Sequence, residues 1–400
     1  MKKKIILGLS MLLMLCSLSL VGCGKKSSKD KVVIWSNMEV ESDLIVKYGK
    51  MWSKKTGHEI QIVHETPDLQ QFVQATNSSS GPDAVVGISN DQLADYVTAG
   101  RVAEVPNDLY KDEEYADAAV QACYVNGKRY AAPLAVETVT LFYNTDKIKE
   151  APKTWDELLK VGEKQGGIQF DATSIYYDLG FVRAYDSYIF PYADGKYDIK
   201  KLGLGNEGAV KAYQFIEALA TKYKFISSNV TSDIAKSNFQ NGKTAFYIGG
   251  PWDIDGLKKA GTHFAVAKMP TLNNKKFVTP VGTQVSFVSS KSKKQKLAWD
   301  FILYLMDHGA LDMYQVGSRI PAKLEFQQNE KIKADPISAV FIEQIADGEP
   351  MPTVSELGQV WTPYQNNMKA LLNKKIDATQ AAANIEKQIT EGIGLMKSGK

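Results

Sequence analysis

Strand-like and helix-like segments alternate through the chain from residue 31 to residue 100, and this alternation restricts the possible folds more than any other feature. Three apolar stretches have strand character: KVVIWS (31–36), HEIQIVHE (58–65) and AVVGIS (84–89). Apolar residues at helical spacing predict amphipathic helices over 41–57, near 67–77 and over 90–100. Strands that alternate with helices form parallel βαβ units, so the pattern predicts an α/β fold.

Later segments predict a second α/β unit. Asn126-Gly127 lies between apolar stretches, as in a hairpin turn, and a long extended segment follows it. A capping box from Thr154 to Glu157 predicts the start of a helix. Further helices are predicted over 206–223, 292–307 and most of 361–400. Because 400 residues exceed one ordinary domain, we expect two α/β lobes joined by extended crossovers.

Residues 1–22 have the pattern of a secretory signal peptide. A basic MKKK start precedes an apolar run, and a small residue comes directly before Cys23. LVGC (20–23) looks like a bacterial lipobox, whose processing would leave Cys23 as a lipid-carrying first residue, with 23–30 as a polar tether. Several acyl chains anchor a protein stably to a membrane. The alternative is an ordinary signal peptide with an incidental cysteine.

Cysteine content and charge restrict the mature chain further. Cys16 is lost with the signal and Cys23 is lipidated, so Cys123 remains alone, and we expect it to be buried rather than reactive. Removing the three lysines of the signal from the 48 basic residues leaves 45, against 45 acidic residues. A neutral mature chain argues against a nucleic-acid partner, because phosphate binding needs clustered positive charge.

Common catalytic and metal-binding motifs are missing from the sequence. The four histidines stand apart without metal-ligand spacing, and no GxSxG motif occurs. Gly-Lys-Thr at 242–244 fails as a P-loop, because Ser237 occupies the first glycine position and a strand follows the motif. We therefore expect no metal, no cofactor and no catalysis. A pair of glycosidase carboxylates stays open, since their separation is set in space.

Aromatic rings and carboxyls follow several of the predicted strands. In TAFYIGGPWDI (244–254), glycines and a proline end a strand and place Trp252 at its carboxyl end, where α/β sheets bind ligands. Asp91 follows AVVGIS, and Glu137 interrupts an apolar extended segment. Tyr176 and Trp361 complete the set. An indole can stack on the apolar face of a pyranose while carboxylates accept its hydroxyl hydrogens, so the set suits a sugar. Core packing is the alternative for each ring.

Nearly the whole mature chain resembles the bacterial extracellular solute-binding proteins of sugar ABC transporters, and most closely the maltose/maltodextrin-binding proteins. The matching stretches occur in family order: VVIWSN (32–37), GPDAVVGISNDQLADYVTAGRVAEV (81–105), YAAPLAVETVTLFYNTD (130–146), PKTWDEL (152–158), ADGKYDIK (193–200), AKSNFQNGKTAFYIGGPWDI (235–254) and GEPMPTVSELGQVW (348–361).

The resemblance implies an α/β, two-lobed periplasmic-binding-protein-like fold with a ligand cleft between the lobes and extended crossover segments. It implies an N-lobe of 31–137 plus 283–331 and a C-lobe of 138–282 plus 332–400. It also implies a monomer, lipid-anchored on the outer face of the cell membrane, that binds malto-oligosaccharides and delivers them to ABC permease subunits.

Carried over residue by residue, the resemblance implies sugar stacking by Tyr176, Trp252 and Trp361. It implies hydroxyl binding by Asp91, Glu137 and, at an acidic position of the first strand-to-helix loop, Glu39.

The chain departs from the family pattern on the N-lobe side of the cleft. Val40 stands where a lysine is expected and Gln92 where an arginine is expected, and a tryptophan is missing from VVGIS. Chain length and glucose linkage therefore stay open. Two other classes also remain, namely a receptor for another oligosaccharide or for a non-sugar solute such as a polyamine, and a surface glycoside hydrolase.

Overall fold

The structure, a computed structural model, describes residues 31–65, 68–78, 81–193 and 196–398. The predicted signal peptide, Cys23 and the tether lie outside these ranges. Within the described ranges, every helix is too short or too polar to cross a lipid bilayer.

In the part of the chain that the structure describes, the strands form two main sheets and two short antiparallel pairs. In chain order they are β1 (Val32–Ser36), β2 (Ile60–His64), β3 (Ala84–Ser89), β4 (Tyr124–Val125), β5 (Lys128–Arg129), β6 (Ala132–Glu137), β7 (Thr140–Asn144), β8 (Ile168–Gln169), β9 (Tyr192–Ala193), β10 (Lys196–Tyr197), β11 (Phe246–Gly249), β12 (Phe264–Ala267), β13 (Pro280–Val288), β14 (Ile320–Pro321) and β15 (Glu349–Pro350).

The α-helices cover these sheets. They are α1 (Ser42–Thr56), α2 (Leu69–Ala75), α3 (Leu93–Thr98), α4 (Asp117–Gln121), α5 (Trp155–Gln165), α6 (Ile175–Ala184), α7 (Glu207–Thr221), α8 (Ser232–Gln240), α9 (Ile254–Lys259), α10 (Gln295–Gly317), α11 (Leu324–Gln327), α12 (Glu330–Lys333), α13 (Pro336–Ala346), α14 (Trp361–Leu372) and α15 (Ala378–Ser398).

The first sheet has the strand order β14-β6-β13-β3-β1-β2, and β15 pairs with β13. β1 pairs in parallel with both β2 and β3, as the βαβ pattern predicts. β13 runs antiparallel to β3 and to β6, and all nine of its residues are buried. A late segment of the chain therefore forms the centre of the sheet that the N-terminal strands begin.

The second sheet has the order β12-β7-β11-β8. β11 is parallel to β8 and antiparallel to β7, so this sheet is mixed. The core beside it positions α6, because the centroid of the Phe181 ring lies 4.9 Å from the ring centroid of Trp155 and 5.5 Å from that of Phe170. Two mixed sheets covered by helices confirm the predicted α/β class.

The chain crosses between the sheets at two adjacent points, and it later returns to the core beside the second sheet with α14 and α15. β6 ends at Glu137 in the first sheet, and β7 begins at Thr140 in the second. The Thr138 hydroxyl lies 2.7 Å from Thr279 Oγ1 and 2.7 Å from the Pro280 carbonyl oxygen, where the chain returns. We retain the predicted division into lobes as a proposal, with this second crossing placed at Thr279, just before β13.

Local sequence signals act as predicted at several positions. Gly57 ends α1 in the left-handed region, with φ of 78°. Thr154 Oγ1 accepts a hydrogen bond from the Glu157 backbone N–H at 3.2 Å. Cys123 is fully buried, and burial raises the pKa of its thiol. The helix predicted over 90–100 is shorter and begins as a 3₁₀ turn over Asn90–Gln92, before α3.

Candidate functional site

A cleft of about 330 Å³ lies between side chains carried by the two sheets and their helices. Five of the six predicted binding residues line it, although they are far apart in the sequence. The lining residues are Ser89, Asn90, Asp91, Glu137, Tyr176, Trp252, Gly282, Arg319, Met351 and Trp361. The fold therefore brings predicted rings and predicted carboxyls to one place; their role in binding stays a prediction.

Trp252 is held at the cleft by the turn that follows β11. The strand ends at Gly249, and a 3₁₀ turn over Pro251–Asp253 follows it. Asp253 fixes this turn, because its Oδ2 accepts hydrogen bonds from Tyr247 Oη at 2.9 Å and from the Gly250 N–H at 3.2 Å. The indole remains 37% exposed, so one large apolar surface is left uncovered by the protein.

Gly250 is needed for the position of the indole. A Cβ atom built at residue 250 would lie 2.3 Å from two carbons of the Trp252 ring, far closer than van der Waals contact. Gly250 therefore does more than end the strand. It lets the backbone pass directly beneath the Trp252 ring, which explains why a glycine precedes Pro251 here.

Tyr176 and Trp361 add two more rings from separate helices. Tyr176 is the second residue of α6, and its ring centroid lies 6.5 Å from that of Trp252 with an interplanar angle of 49°. Burial raises the pKa of Tyr176, and the neighbouring Tyr177 and Asp91 raise it further, so its hydroxyl stays protonated. Trp361 is the half-buried first residue of α14. The three rings belong to the lobe of the second sheet.

The polar side of the cleft follows β3. Asn90 is fully buried, and its Oδ1 accepts from the Thr283 N–H at 3.0 Å while its Nδ2 donates to the Met351 carbonyl at 3.3 Å. The next residue, Asp91, has a buried Oδ1 without a hydrogen-bond partner in the described part of the chain. A buried acceptor left unpaired is unfavourable, so Asp91 is suited to a ligand that donates a hydrogen bond.

Arg319, which the sequence analysis did not identify, forms the floor of the cleft. Its Nη1 pairs with Glu137 Oε2, and its Nε lies 3.1 Å from Glu41 Oε1. Glu137 Oε1 accepts a second hydrogen bond, from Gln284 Nε2 at 3.1 Å. Glu41 is 1% exposed, so one guanidinium compensates two carboxylates that have little access to water.

The strand register explains why Arg319 and Glu137 meet. Ile320 of β14 is paired with Val136 of β6 in an antiparallel ladder, which places Arg319 opposite Glu137. β14 is two residues long and begins 183 positions after β6 ends, so no local pattern marks this pairing. The Ser-Arg-Ile-Pro stretch at 318–321 carried no motif that could have identified it.

Glu39 is exposed and is not among the residues that line the cleft. Its neighbour Val40 is 58% exposed. The carboxylate that reaches the cleft floor from this loop is Glu41, through Arg319. Gln92, the second departure from the family pattern, is also exposed and outside the lining.

The cleft presents aromatic faces on one side and hydrogen-bond acceptors on the other. Among the residues the structure describes, no group of three or more His, Cys, Asp or Glu side chains could hold a metal ion. An exposed indole can cover the C–H face of a ring, and Asp91 Oδ1 can accept from a hydroxyl. This combination is suited to holding a solute between two surfaces.

Two mixed sheets joined by adjacent crossings, with an aromatic cleft between the sheets, define a two-lobed solute-binding protein. The chain belongs to the bacterial extracellular solute-binding protein family, whose sequence profile matches residues 47–340.

Two similar sequences match almost end to end. The galactooligosaccharide-binding protein of Bacillus subtilis strain 168 is 29% identical, over 97% of this chain and 98% of the relative. A maltooligosaccharide ABC transporter solute-binding lipoprotein of Streptococcus pneumoniae strain ATCC BAA-255 / R6 is 27% identical, over 95% of each chain.

Solved structures share the whole fold. The maltose-maltodextrin binding protein of Alicyclobacillus acidocaldarius has a TM-score of 0.83 and 28% identity, covering 90% of this chain and 100% of that protein. A cyclo/maltodextrin-binding protein complexed with maltotetraose has a TM-score of 0.84 and 28% identity, covering 92% of this chain and 98% of that one. The predicted two-lobed fold and family are confirmed.

Proposed function

We propose that this protein is the extracellular receptor of an ABC importer and binds a neutral oligosaccharide in the cleft. The observation that carries the proposal is the position of Trp252: a 37% exposed indole lies in the same cleft as Asp91, whose buried Oδ1 lacks a partner in the described part of the chain. A sugar offers both complements, an apolar C–H face and hydroxyl donors.

The energies of these contacts are sufficient for a transport receptor. Covering about 100 Å² of apolar surface at ~25 cal/mol per Å² stabilises the complex by roughly 2–3 kcal/mol for each stacked ring. Two or three such units, with hydrogen bonds to carboxylates, reach about −8 kcal/mol, which corresponds to a micromolar dissociation constant. Contacts from both lobes form together when the lobes close, so the ligand favours closure.

The charges of the cleft disfavour an anionic ligand. Arg319 is already paired with Glu137 and Glu41, so it is not available as a binding site for an anion. Asp91 adds a carboxylate that can accept a hydroxyl hydrogen. A phosphorylated or carboxylated solute would meet acceptors where it needs donors.

Among neutral oligosaccharides we propose malto-oligosaccharides. Support comes from the residue pattern of Tyr176, Trp252 and Trp361, and from relatives that are named as maltooligosaccharide and maltodextrin binders. A second candidate is a galactooligosaccharide, because the relative with that name is 29% identical over 97% of the chain.

We also propose that Cys23 carries lipid and anchors the monomeric protein on the outer face of the cell membrane, where it delivers its ligand to permease subunits. The support is the signal-like pattern of residues 1–22 with LVGC at its end, and the relative that is named a lipoprotein.

The test is a calorimetric titration of the chain from Gly24 onward. Maltose, maltotriose, maltotetraose, a β-linked galactooligosaccharide and spermidine are added in turn. We expect saturable micromolar binding of the α-linked saccharides, with each recovered unchanged after incubation. Binding of the galactooligosaccharide alone would change the proposed ligand and leave the proposed receptor role in place. Binding of spermidine alone, or release of shorter sugars, would contradict the proposal.

A further inference from the structure

A buried hydrogen bond joins the helix that carries Tyr176 to the helix that carries Trp361. Tyr364 Oη donates to Asp178 Oδ2 at 2.9 Å, and both side chains are fully buried. The two residues are 186 positions apart in the chain. Asp178 belongs to the first turn of α6, and Tyr364 to the first turn of α14.

The bond lies directly behind two of the cleft rings. Tyr176 precedes Asp178 by two residues on α6, and Trp361 precedes Tyr364 by three residues on α14. Residues within one helical turn move as a unit, because the backbone hydrogen bonds of the turn hold them. A change in the distance between Asp178 and Tyr364 is therefore transmitted to the distance between the two rings.

We infer that Asp178 and Tyr364 are a positioning pair, which sets the spacing of Tyr176 and Trp361 for the saccharide in the cleft. The inference rests on the proposed function. Neither residue lines the cleft, so the pair acts through the rings and not by contact with the ligand.

The chemistry of Asp178 fits a fixed geometric role. Its Oδ1 is buried and has no hydrogen-bond partner within the described ranges, and burial raises the pKa of the carboxyl well above its usual range. Burial disfavours the charged form of this carboxyl, and its hydrogen bond to Tyr364 is short and directional. An apolar residue of similar size would fill the same space without fixing the angle between the helices.

A nearby tyrosine provides a matched control. Tyr213 is also fully buried, and its ring centroid lies 5.9 Å from that of Tyr364. Its hydroxyl donates to the Leu204 carbonyl at 2.9 Å, in a loop that carries no cleft residue. Tyr364→Phe and Tyr213→Phe therefore remove the same atom from the same core, but only the first removes a bond between two cleft helices.

The experiment measures maltotetraose affinity and thermal unfolding of the full mature chain and its variants. We expect Tyr364→Phe to raise the dissociation constant at least fivefold, Tyr213→Phe to raise it less than twofold, and both to lower the melting temperature. Asp178→Asn, which keeps a neutral acceptor of the same shape, should stay within twofold of wild type.

A double variant separates positioning from stability. Asp178→Leu with Tyr364→Phe replaces both partners by apolar groups, so the melting temperature should return toward the wild-type value. We expect its affinity to stay at least fivefold weaker.

Equal dissociation constants for Tyr364→Phe and Tyr213→Phe would overturn the positioning role and leave the proposed function in place. Recovery of both affinity and stability in the double variant would have the same meaning. A wild-type chain that binds none of the saccharides would overturn the proposed function and the pair together.

Discussion

Arg319 pairs with Glu137 at the floor of the cleft although the two residues are 182 positions apart. The same guanidinium also reaches Glu41, whose side chain is 1% exposed. The cleft floor is thus part of the folded core of the first lobe as well as part of the candidate site, and its residues affect stability and binding together.

Replacing Arg319 by Met should destabilise the protein strongly. The substitution keeps a long apolar side chain but leaves Glu41 and Glu137 without compensation, and removal of one partner of a buried pair costs about 3–5 kcal/mol. Urea unfolding measures the change. The control is Lys47→Met, which breaks the exposed pair with Asp312 and should cost less than about 1 kcal/mol. Equal losses for the two variants would contradict the buried role of Arg319.

Trp252→Ala should weaken saccharide binding at least tenfold and leave the fold intact. Losing one stacked ring removes roughly 2–3 kcal/mol, and 1.4 kcal/mol already corresponds to a factor of ten. Calorimetry gives the dissociation constant and circular dichroism the folded state. Tyr192→Ala is the control, because Tyr192 is 47% exposed and lies outside the cleft lining. An unchanged dissociation constant for Trp252→Ala would show that the Trp252 ring does not contribute to saccharide binding.

Gly250→Ala should weaken saccharide binding although it removes no side chain that contacts the ligand. The added Cβ would overlap the Trp252 ring, which must move away from its position in the cleft. A shift in tryptophan emission, together with a raised dissociation constant, checks this. Gly256→Ala is the matched control: its Cβ meets nothing within 4 Å, and it lies inside α9, where alanine stabilises a helix by about 0.5–1 kcal/mol. If both variants bind like wild type, the proposed close passage under the ring is wrong.

The stability of Asp178→Asn relative to wild type should rise with pH. Burial raises the pKa of Asp178 in the folded protein, so between its unfolded value of about 3.9 and its folded value the native state holds the extra proton. Wild-type stability therefore falls as pH rises through this window, and asparagine removes that loss. Denaturant unfolding at a series of pH values measures the difference.

Asp312→Asn should show the opposite trend and serves as the control. Hydrogen bonds from Lys47 and Tyr48 lower the pKa of Asp312, so its contribution to stability is present above the unfolded pKa and lost below it. The asparagine variant should lose stability relative to wild type as pH rises. A flat profile for Asp178→Asn would show that the buried carboxyl is ionised.

Local signals predicted most of the fold, because caps and turns depend on neighbouring residues. Gly57, Thr154 and the Asn126-Gly127 turn lie where the sequence placed them, with φ of 52° and 79° at the last two residues. The antiparallel position of β13 between β3 and β6 could not be predicted this way. Its sequence, PVGTQVSFV, mixes apolar and polar residues and does not specify a position in the sheet, and its pairing with β3 and β6 is set by contacts more than 140 residues away in the sequence.

The candidate site shows the same division. Exposed rings after strands, such as Trp252, were identifiable because Gly-Gly-Pro ends a strand locally. Arg319 was not, because its role depends on the register of a two-residue strand against β6. Glu39, which the family resemblance implied, is exposed and its role stays a prediction, whereas Glu41 of the same loop is buried and reaches Arg319.

The two adjacent crossings make the stretch between β6 and β13 an insertion into the first sheet. The stretch from Thr138 to Thr279 leaves and rejoins the first sheet at one point, since the two threonine hydroxyls are 2.7 Å apart. This stretch carries Tyr176 and Trp252 but none of Asp91, Glu137 and Arg319, so a chimera that also keeps its packing against α14 and α15 would replace two of the rings and retain the cleft floor.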